Sequence, residues 1–251
     1  MWLHAERDGT GPPIVLVHGF TQTRNCWGPV ALDLQRDHTV IRVDAPGHGR
    51  SADVMAGLRG GGRMIADQGG EAVYLGYSMG GRYLIHLALA NPELVTGLVL
   101  IGATAGIDDP AERAARADAD RETGRRIREM GTPEFVRWWV ANPMFEGIPA
   151  EHQFLAERME NTVEGLESSV VQAGTGSQDP TWDRLHRLEM PVLVMAGARD
   201  QKYAALGERM VAAIGDNATL ALVPDAGHAA HLERTDDFLR LLRAWLGTNG
   251  L

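Results

Sequence analysis

The sequence predicts an α/β fold with a mainly parallel sheet flanked by helices, and three observations carry that expectation. Apolar, β-branched runs recur at Ile14 to Val17, Thr39 to Val43, Ala72 to Leu75, Leu98 to Ile101, Val192 to Ala196 and Ala218 to Val223, with helical patterns between most of them. Runs of this length mark strands buried on both faces, and their alternation with helices is the pattern of a parallel sheet. Next, Gly76-Tyr77-Ser78-Met79-Gly80 is a G-x-S-x-G pentapeptide between one of these runs and a helical pattern from Met79 to Ala90. Small residues are needed two before and two after the serine because such a strand-to-helix turn is sharp and strained, which holds the hydroxyl out at the top of the sheet. Finally, residues 107–176 lack a strand run, so they read as a helical lid inserted into a core made of residues 1–106 and 177–251.

The elements follow in order. Trp2 to Arg7 fits an edge strand, and the turn-rich Asp8 to Pro13 leads into Ile14 to Val17. That run ends in His18-Gly19-Phe20, where a glycine lets the backbone pass close over a site. A backbone N–H at Phe20 can then join that of Met79 as an oxyanion hole; the alternative is a plain turn. Gly28 to Leu34 reads as a helix and Thr39 to Val43 as a strand. The loop from Asp44 to Ser51 is glycine-rich but lacks the lysine and spacing of a phosphate-binding loop, so a structural turn is expected. Between Ser51 and Gly70, Gly60-Gly61-Gly62 and Gly69-Gly70 predict a short or broken helix, since glycine costs roughly 1 kcal/mol per interior position relative to alanine. In the insertion, arginine-rich helical patterns are interrupted at Gly131, Pro143 and Pro149. A helix near Ala204 to Ile214 and an amphipathic one from Asp236 to Leu246 complete the alternation.

Composition bounds the function. The 251 residues suit one large domain or a domain with an insertion, and a net charge of −9 argues against nucleic-acid or acidic-membrane partners. The amino-terminal stretch has no apolar signal core and no run reaches the length of a membrane span, so a cytoplasmic protein is expected. Cys26, the single cysteine, excludes an internal disulfide and a cysteine-rich metal site, and reads as a buried packing residue. No metal or cofactor is expected. The oligomeric state is left open, with a monomer sufficient.

A serine hydroxyl needs a histidine to take its proton and a carboxylate to fix the histidine's tautomer. Asp200 and His228 each follow a strand run, so they and Ser78 converge on the carboxyl edge of the sheet in the order serine, acid, histidine. His231 is the rival base and Asp225 the rival acid. Arg82 lies four residues after Ser78 in the first turn of a helix, where the macrodipole disfavours a cation, so an anion should compensate: a bound ligand or a neighbouring carboxylate. Lys202 is either a second cation at the rim or a solvated lysine. Arg113 and Arg116 share a helix face, with Glu112 able to pair with Arg116. Trp138-Trp139 either roofs a pocket or fills the core of the insertion.

With Leu16 to Phe20, Asp44 to Gly49, the serine pentapeptide and Ala226-Gly227-His228, the chain resembles the α/β-hydrolase superfamily over essentially its full length. A serine at the turn separates it from the aspartate-dependent dehalogenases and epoxide hydrolases. Within the superfamily it resembles the 2-succinyl-6-hydroxy-2,4-cyclohexadiene-1-carboxylate (SHCHC) synthases of menaquinone biosynthesis. The matching stretches are Gly76 to Arg82, Glu112 to Arg116, Trp139 ahead of Pro143-Met144-Phe145, Arg199 to Tyr203, and Ala226 to His231. The resemblance implies that Arg82, Arg116, Lys202 and Trp139 bind a carboxylate-rich small molecule and that Tyr77 lines the site. It also implies that Ser78 acts as a base, so that pyruvate leaves without an acyl-enzyme. The alternatives are a serine carboxylesterase or C–C bond hydrolase in which Ser78 is the nucleophile, and a non-catalytic binder, against which the intact triad argues. The chain departs from that family in its short, glycine-interrupted Ser51 to Gly70 stretch.

Overall fold

A computed structural model describes residues 2–251. In chain order it contains β1 (Ala5–Asp8), β2 (Pro13–Val17), α1 (Gly28–Leu34), β3 (Thr39–Val43), α2 (Leu58–Gly69), β4 (Ala72–Tyr77), α3 (Met79–Ala90) and β5 (Val95–Ile101). Then come α4 (Pro110–Met130), α5 (Thr132–Val140), α6 (Leu155–Arg158) and α7 (Val163–Gln172), followed by β6 (Val192–Gly197), α8 (Gln201–Ile214), β7 (Ala218–Val223), α9 (Ala230–Glu233) and α10 (Thr235–Asn249). The seven strands form one sheet in the order β1-β3-β2-β4-β5-β6-β7, parallel except for β1, which runs antiparallel to β3.

The strands carry apolar side chains on both faces, because a parallel sheet is covered on both sides. Val15, Val17, Leu98, Leu100, Val192 and Val194 face one layer, built with Ile65, Tyr83 and Met210 of α2, α3 and α8. Their alternates Ile14, Leu16, Val99, Ile101, Leu193 and Met195 face the other, built with Leu34 of α1 and Phe238 and Leu242 of α10. Each fully buried side chain of this size contributes about 1.5–3 kcal/mol of apolar transfer. The chain leaves β2 toward β3 on one side and β4 toward β5 on the other, so the switch point, where parallel sheets bind ligands, lies between the carboxyl ends of β2 and β4.

One expectation is overturned. The stretch after Ser51 does not hold a broken helix: α2 runs unbroken for 12 residues through Gly60, Gly61 and Gly62. Packing outweighs propensity there. A Cβ on Gly61 would overlap the ring of Tyr83 and lie 3.0 Å from Pro46 Cγ, and one on Gly62 would lie 3.0 Å from the Tyr83 carbonyl oxygen. Bare backbone at these positions lets α2 approach α3 closely. At the edges, β1 starts three residues later than Trp2, and α8 starts at Gln201 rather than near Ala204.

The segment between β5 and β6 is helical. Asp109 opens α4 by accepting from the Ala111 and Glu112 N–H groups, with Pro110 at the first helical position, and Thr162 caps α7 through Gly165 N–H. Ile127, Phe135 and Leu166 give the segment a small apolar core of its own. Among the described residues no helix is long and apolar enough to cross a membrane.

Candidate active site

Ser78 stands between β4 and α3 with φ 51°, a left-handed backbone that costs a non-glycine residue about 1–3 kcal/mol. The turn is held by Ser78 N–H donating to the Ile101 carbonyl at 2.7 Å and by close backbone contact: a Cβ on Gly76 would lie 2.6 Å from the Gly80 carbonyl carbon. His228 follows β7, and its Nε2 lies 3.3 Å from Ser78 Oγ. Asp200 caps α8, its Oδ1 accepting from Tyr203 N–H at 3.2 Å while its Oδ2 lies 2.8 Å from His228 Nδ1. Helix cap and imidazole thus fix the two carboxylate oxygens separately. Burial pushes the Asp200 carboxyl up, but the His228 hydrogen bond and charge, with the Tyr203 N–H and Lys202, outweigh it and hold its pKa below the usual range.

The rivals stand elsewhere. His231 is buried against the ring of Tyr77, 4.4 Å between centroids, and burial drives its pKa down to about 3. Asp225 is exposed and pairs with Arg199 at 3.1 Å. The Cys26 thiol is buried and pushed up to about 11 by that burial, an inert packing group.

Around Ser78 opens a cavity of about 590 Å³, whose lining includes Phe20, Met79, Tyr77, Trp139 and His228. The backbone N–H groups of Phe20 and Met79 have no protein acceptor among the described residues. That of Met79 also lies at the amino end of α3, whose dipole favours negative charge. Tyr77 Oη and Trp139 Nε1 are buried without a protein partner among the described residues, leaving both able to bond a ligand. Trp138, beside it, is instead exposed, with Arg126 stacked 4.5 Å from its ring.

Several cations also line the cavity, among neutral side chains and the acids Asp120, Glu146 and Glu233. Arg82 is buried, pairs with no carboxylate among the described residues, and donates to the carbonyl of Ala173; burial pulls its pKa down to about 10. Arg116 lines the cavity and pairs not with Glu112 but with Asp120, at 2.7 Å and one turn on. Lys202 is exposed at the rim, also without a carboxylate partner among the described residues. Arg113 turns away to the carbonyls of Ile107 and Asp108.

Two lining residues escape sequence reasoning. Arg158, at the end of α6, is buried, donates to Thr21 Oγ1 and the Gln153 carbonyl, and pairs with no carboxylate among the described residues; burial lowers its pKa. Nothing local distinguishes it from the other arginines of the insertion. Glu233 brackets the histidine loop, its two oxygens accepting from Gly227 N–H at 2.6 Å and Ala229 N–H at 2.9 Å. Its signal is its spacing, since it lies four residues after Ala229 in a short helix. Among the described residues no group of His, Cys, Asp and Glu is arranged to hold a metal.

A strained serine joined to an imidazole and a carboxylate, beside two backbone donors and in a cavity lined in part by buried guanidinium groups, is arranged to move a proton and to stabilise negative charge on oxygen. Residues 14–241 match the alpha/beta hydrolase family. The chain belongs to the alpha/beta hydrolase family. It is 31% identical, over 93% of its length and 89% of the relative's, to a Bacillus subtilis (strain 168) protein provisionally named 2-succinyl-6-hydroxy-2,4-cyclohexadiene-1-carboxylate synthase. It is 29% identical to the 2-succinyl-6-hydroxy-2,4-cyclohexadiene-1-carboxylate synthase of Salmonella newport (strain SL254), over 97% of this chain and 100% of that one. In fold it is similar to MenH from S. aureus, with TM-score 0.89 and 24% identity over 100% of this chain and 99% of that one.

Proposed function

We propose that this chain is a carbon–oxygen lyase of the SHCHC synthase type, releasing pyruvate from 2-succinyl-5-enolpyruvyl-6-hydroxy-3-cyclohexene-1-carboxylate. The observation that carries this reading is the pair of buried guanidinium groups, Arg82 and Arg158, that line the Ser78 cavity without a carboxylate partner among the described residues. A buried cation without a counter-charge is costly, and an anionic ligand would offset that cost. The substrate carries carboxylates on the ring, the succinyl arm and the enolpyruvyl group. Arg82, Arg116, Arg158 and Lys202 supply the cations to meet them.

The chemistry follows from the two names. Conversion of the 3-cyclohexene to the 2,4-cyclohexadiene removes a proton from C2 and the enolpyruvyl oxygen from C5. Ser78 Oγ, its proton passed to His228, takes the C2 proton, which the adjacent succinyl ketone acidifies. The electron pair forms C2=C3, the ring double bond moves to C4=C5, and the C5–O bond breaks to release the enolate of pyruvate, which takes up the proton held by His228 and becomes pyruvate. Charge developing on the ketone oxygen is met by the backbone N–H groups of Phe20 and Met79, interactions strongest in the transition state. Asp200 holds His228 in the tautomer this transfer needs. Tyr77 and Trp139 line the substrate, and residues 107–176 act as a lid that excludes water.

The test is pyruvate release from that substrate, followed with a coupled dehydrogenase beside hydrolysis of a small neutral ester. Wild-type protein should release pyruvate, and Ser78→Ala should lower the rate by about 10³-fold or more. Vigorous ester cleavage with no pyruvate release would replace this reading with a serine esterase.

A further inference from the structure

Thr21, next to the proposed oxyanion donor Phe20, is a β-branched residue with φ 66° and no solvent exposure. Such a conformation is rare and persists only where surrounding contacts over-determine it. Here every polar group of the residue is held by a different residue distant in sequence. Its N–H donates to His48 Nε2 at 3.3 Å. Its carbonyl accepts from Asn161 Nδ2 at 2.8 Å, and its Oγ1 from Arg158 Nη1. His48 Nδ1 lies 3.0 Å from the Pro46 carbonyl, which makes Nδ1 the protonated nitrogen and leaves Nε2 free to accept. Burial, with His18 beside it, holds the His48 pKa near 3, so the ring stays uncharged at neutral pH. Asn161 also accepts from Gly49 N–H at 2.8 Å, tying the loop after β3 into the same knot.

Two of these holding residues, Arg158 and Asn161, come from the insertion, and Arg158 also lines the Ser78 cavity. We propose that Thr21 is a positioning residue through which the insertion aims the Phe20 N–H at the reacting oxygen, so that the helical segment sets the oxyanion donor as well as roofing the site. The inference rests on the reading of Phe20 N–H as an oxyanion donor, and it applies whether the charged oxygen belongs to an enolate or to an ester's tetrahedral intermediate. A hydrogen bond made mainly in the transition state acts on kcat rather than on KM.

Thr21→Gly separates this role from a structural one. Glycine adopts positive φ without cost, so removing the strained side chain leaves the loop free while keeping its conformation accessible. In the full-length protein, Thr21→Gly should lower kcat about 10- to 100-fold, a part of what loss of one oxyanion donor costs, with KM within about twofold. The loss should appear in both pyruvate release and ester hydrolysis, with Tm within about 4 °C of wild type. Thr21→Ser, which keeps the hydroxyl for Arg158, should recover most of the activity, and Asn161→Ala should fall with the glycine variant. Wild-type kcat in Thr21→Gly, or a change confined to KM, would overturn the proposal. Should Thr21→Gly not fold, the kcat of Asn161→Ala against that of Thr21→Ser decides the question by the same criteria. If wild-type protein cleaves the ester but releases no pyruvate, the lyase reading fails while the ester kcat values still decide the role of Thr21.

Discussion

At the scale of single residues, Arg82 and Arg158 are the groups on which the proposed anionic substrate rests. Both are buried, both donate to uncharged oxygens, and burial lowers the pKa of both. A charge-assisted hydrogen bond contributes about 1.5–3 kcal/mol, so Arg82→Ala should lower kcat/KM for pyruvate release about 10- to 150-fold. Hydrolysis of a small neutral ester should change less than about threefold, because no carboxylate of that substrate needs the cation. Parallel assays check this, and equal losses in both would show that Arg82 holds the site's shape rather than its ligand. Ser78, Asp200 and His228 can be found in the sequence because each follows a recognisable strand run, and a parallel sheet gathers strand ends on one edge. Arg158, Thr21 and Asn161 could not be found that way. Arg158 and Asn161 meet Thr21 across more than 130 positions of sequence, brought there by the folding back of an insertion whose path no local pattern records.

At the scale of elements, α2 shows where propensity loses to packing. Its three consecutive glycines forecast a break, and the helix forms because two of them face α3. Gly60 is different: it is exposed, and a Cβ there would meet only Ala56 Cβ, at an ordinary 3.7 Å. Gly60→Ala should therefore stabilise the protein by about 0.5–1 kcal/mol, the intrinsic helix preference. Gly61→Ala gains the same preference but forces the fully buried Tyr83 ring to move, an overpacking cost of about 1–3 kcal/mol, so its net effect should be destabilising. Denaturant midpoints of the two variants should shift in opposite directions; a stabilised Gly61→Ala would mean that the two helices are less tightly apposed. Strands were more legible than this helix because burial on both faces leaves a continuous apolar run, whereas a helix–helix contact made by missing side chains leaves only what looks like a breaker.

At the scale of the whole molecule, the fold encloses several histidines that must stay uncharged. Burial lowers His18 and His86 to about 4, and His48 and His231 to about 3, from an ordinary value of 6.5. In each case the unfolded chain takes up a proton below pH 6.5 that the native protein refuses until its lower pKa is reached. The unfolded state binds more protons throughout that window, so stability falls as pH falls. Each histidine contributes a slope of about 1.4 kcal/mol per pH unit, and together they act well before the carboxylates. Those with depressed pKa values, Glu6, Asp37 and Asp200, add stability that is lost only on further acidification, through the lower range where they protonate. Stability should accordingly be nearly flat above pH 7 and drop steeply between about pH 6 and 4, with unfolding at pH 5 taking up about three to four protons. Calorimetric melts in buffers of differing ionisation heat measure that uptake directly. A Tm unchanged down to pH 5, or an uptake near zero, would mean that the native protein admits protons to these sites. The network behind the oxyanion loop, which relies on His48 as an acceptor, would then loosen in mild acid before the chain unfolds.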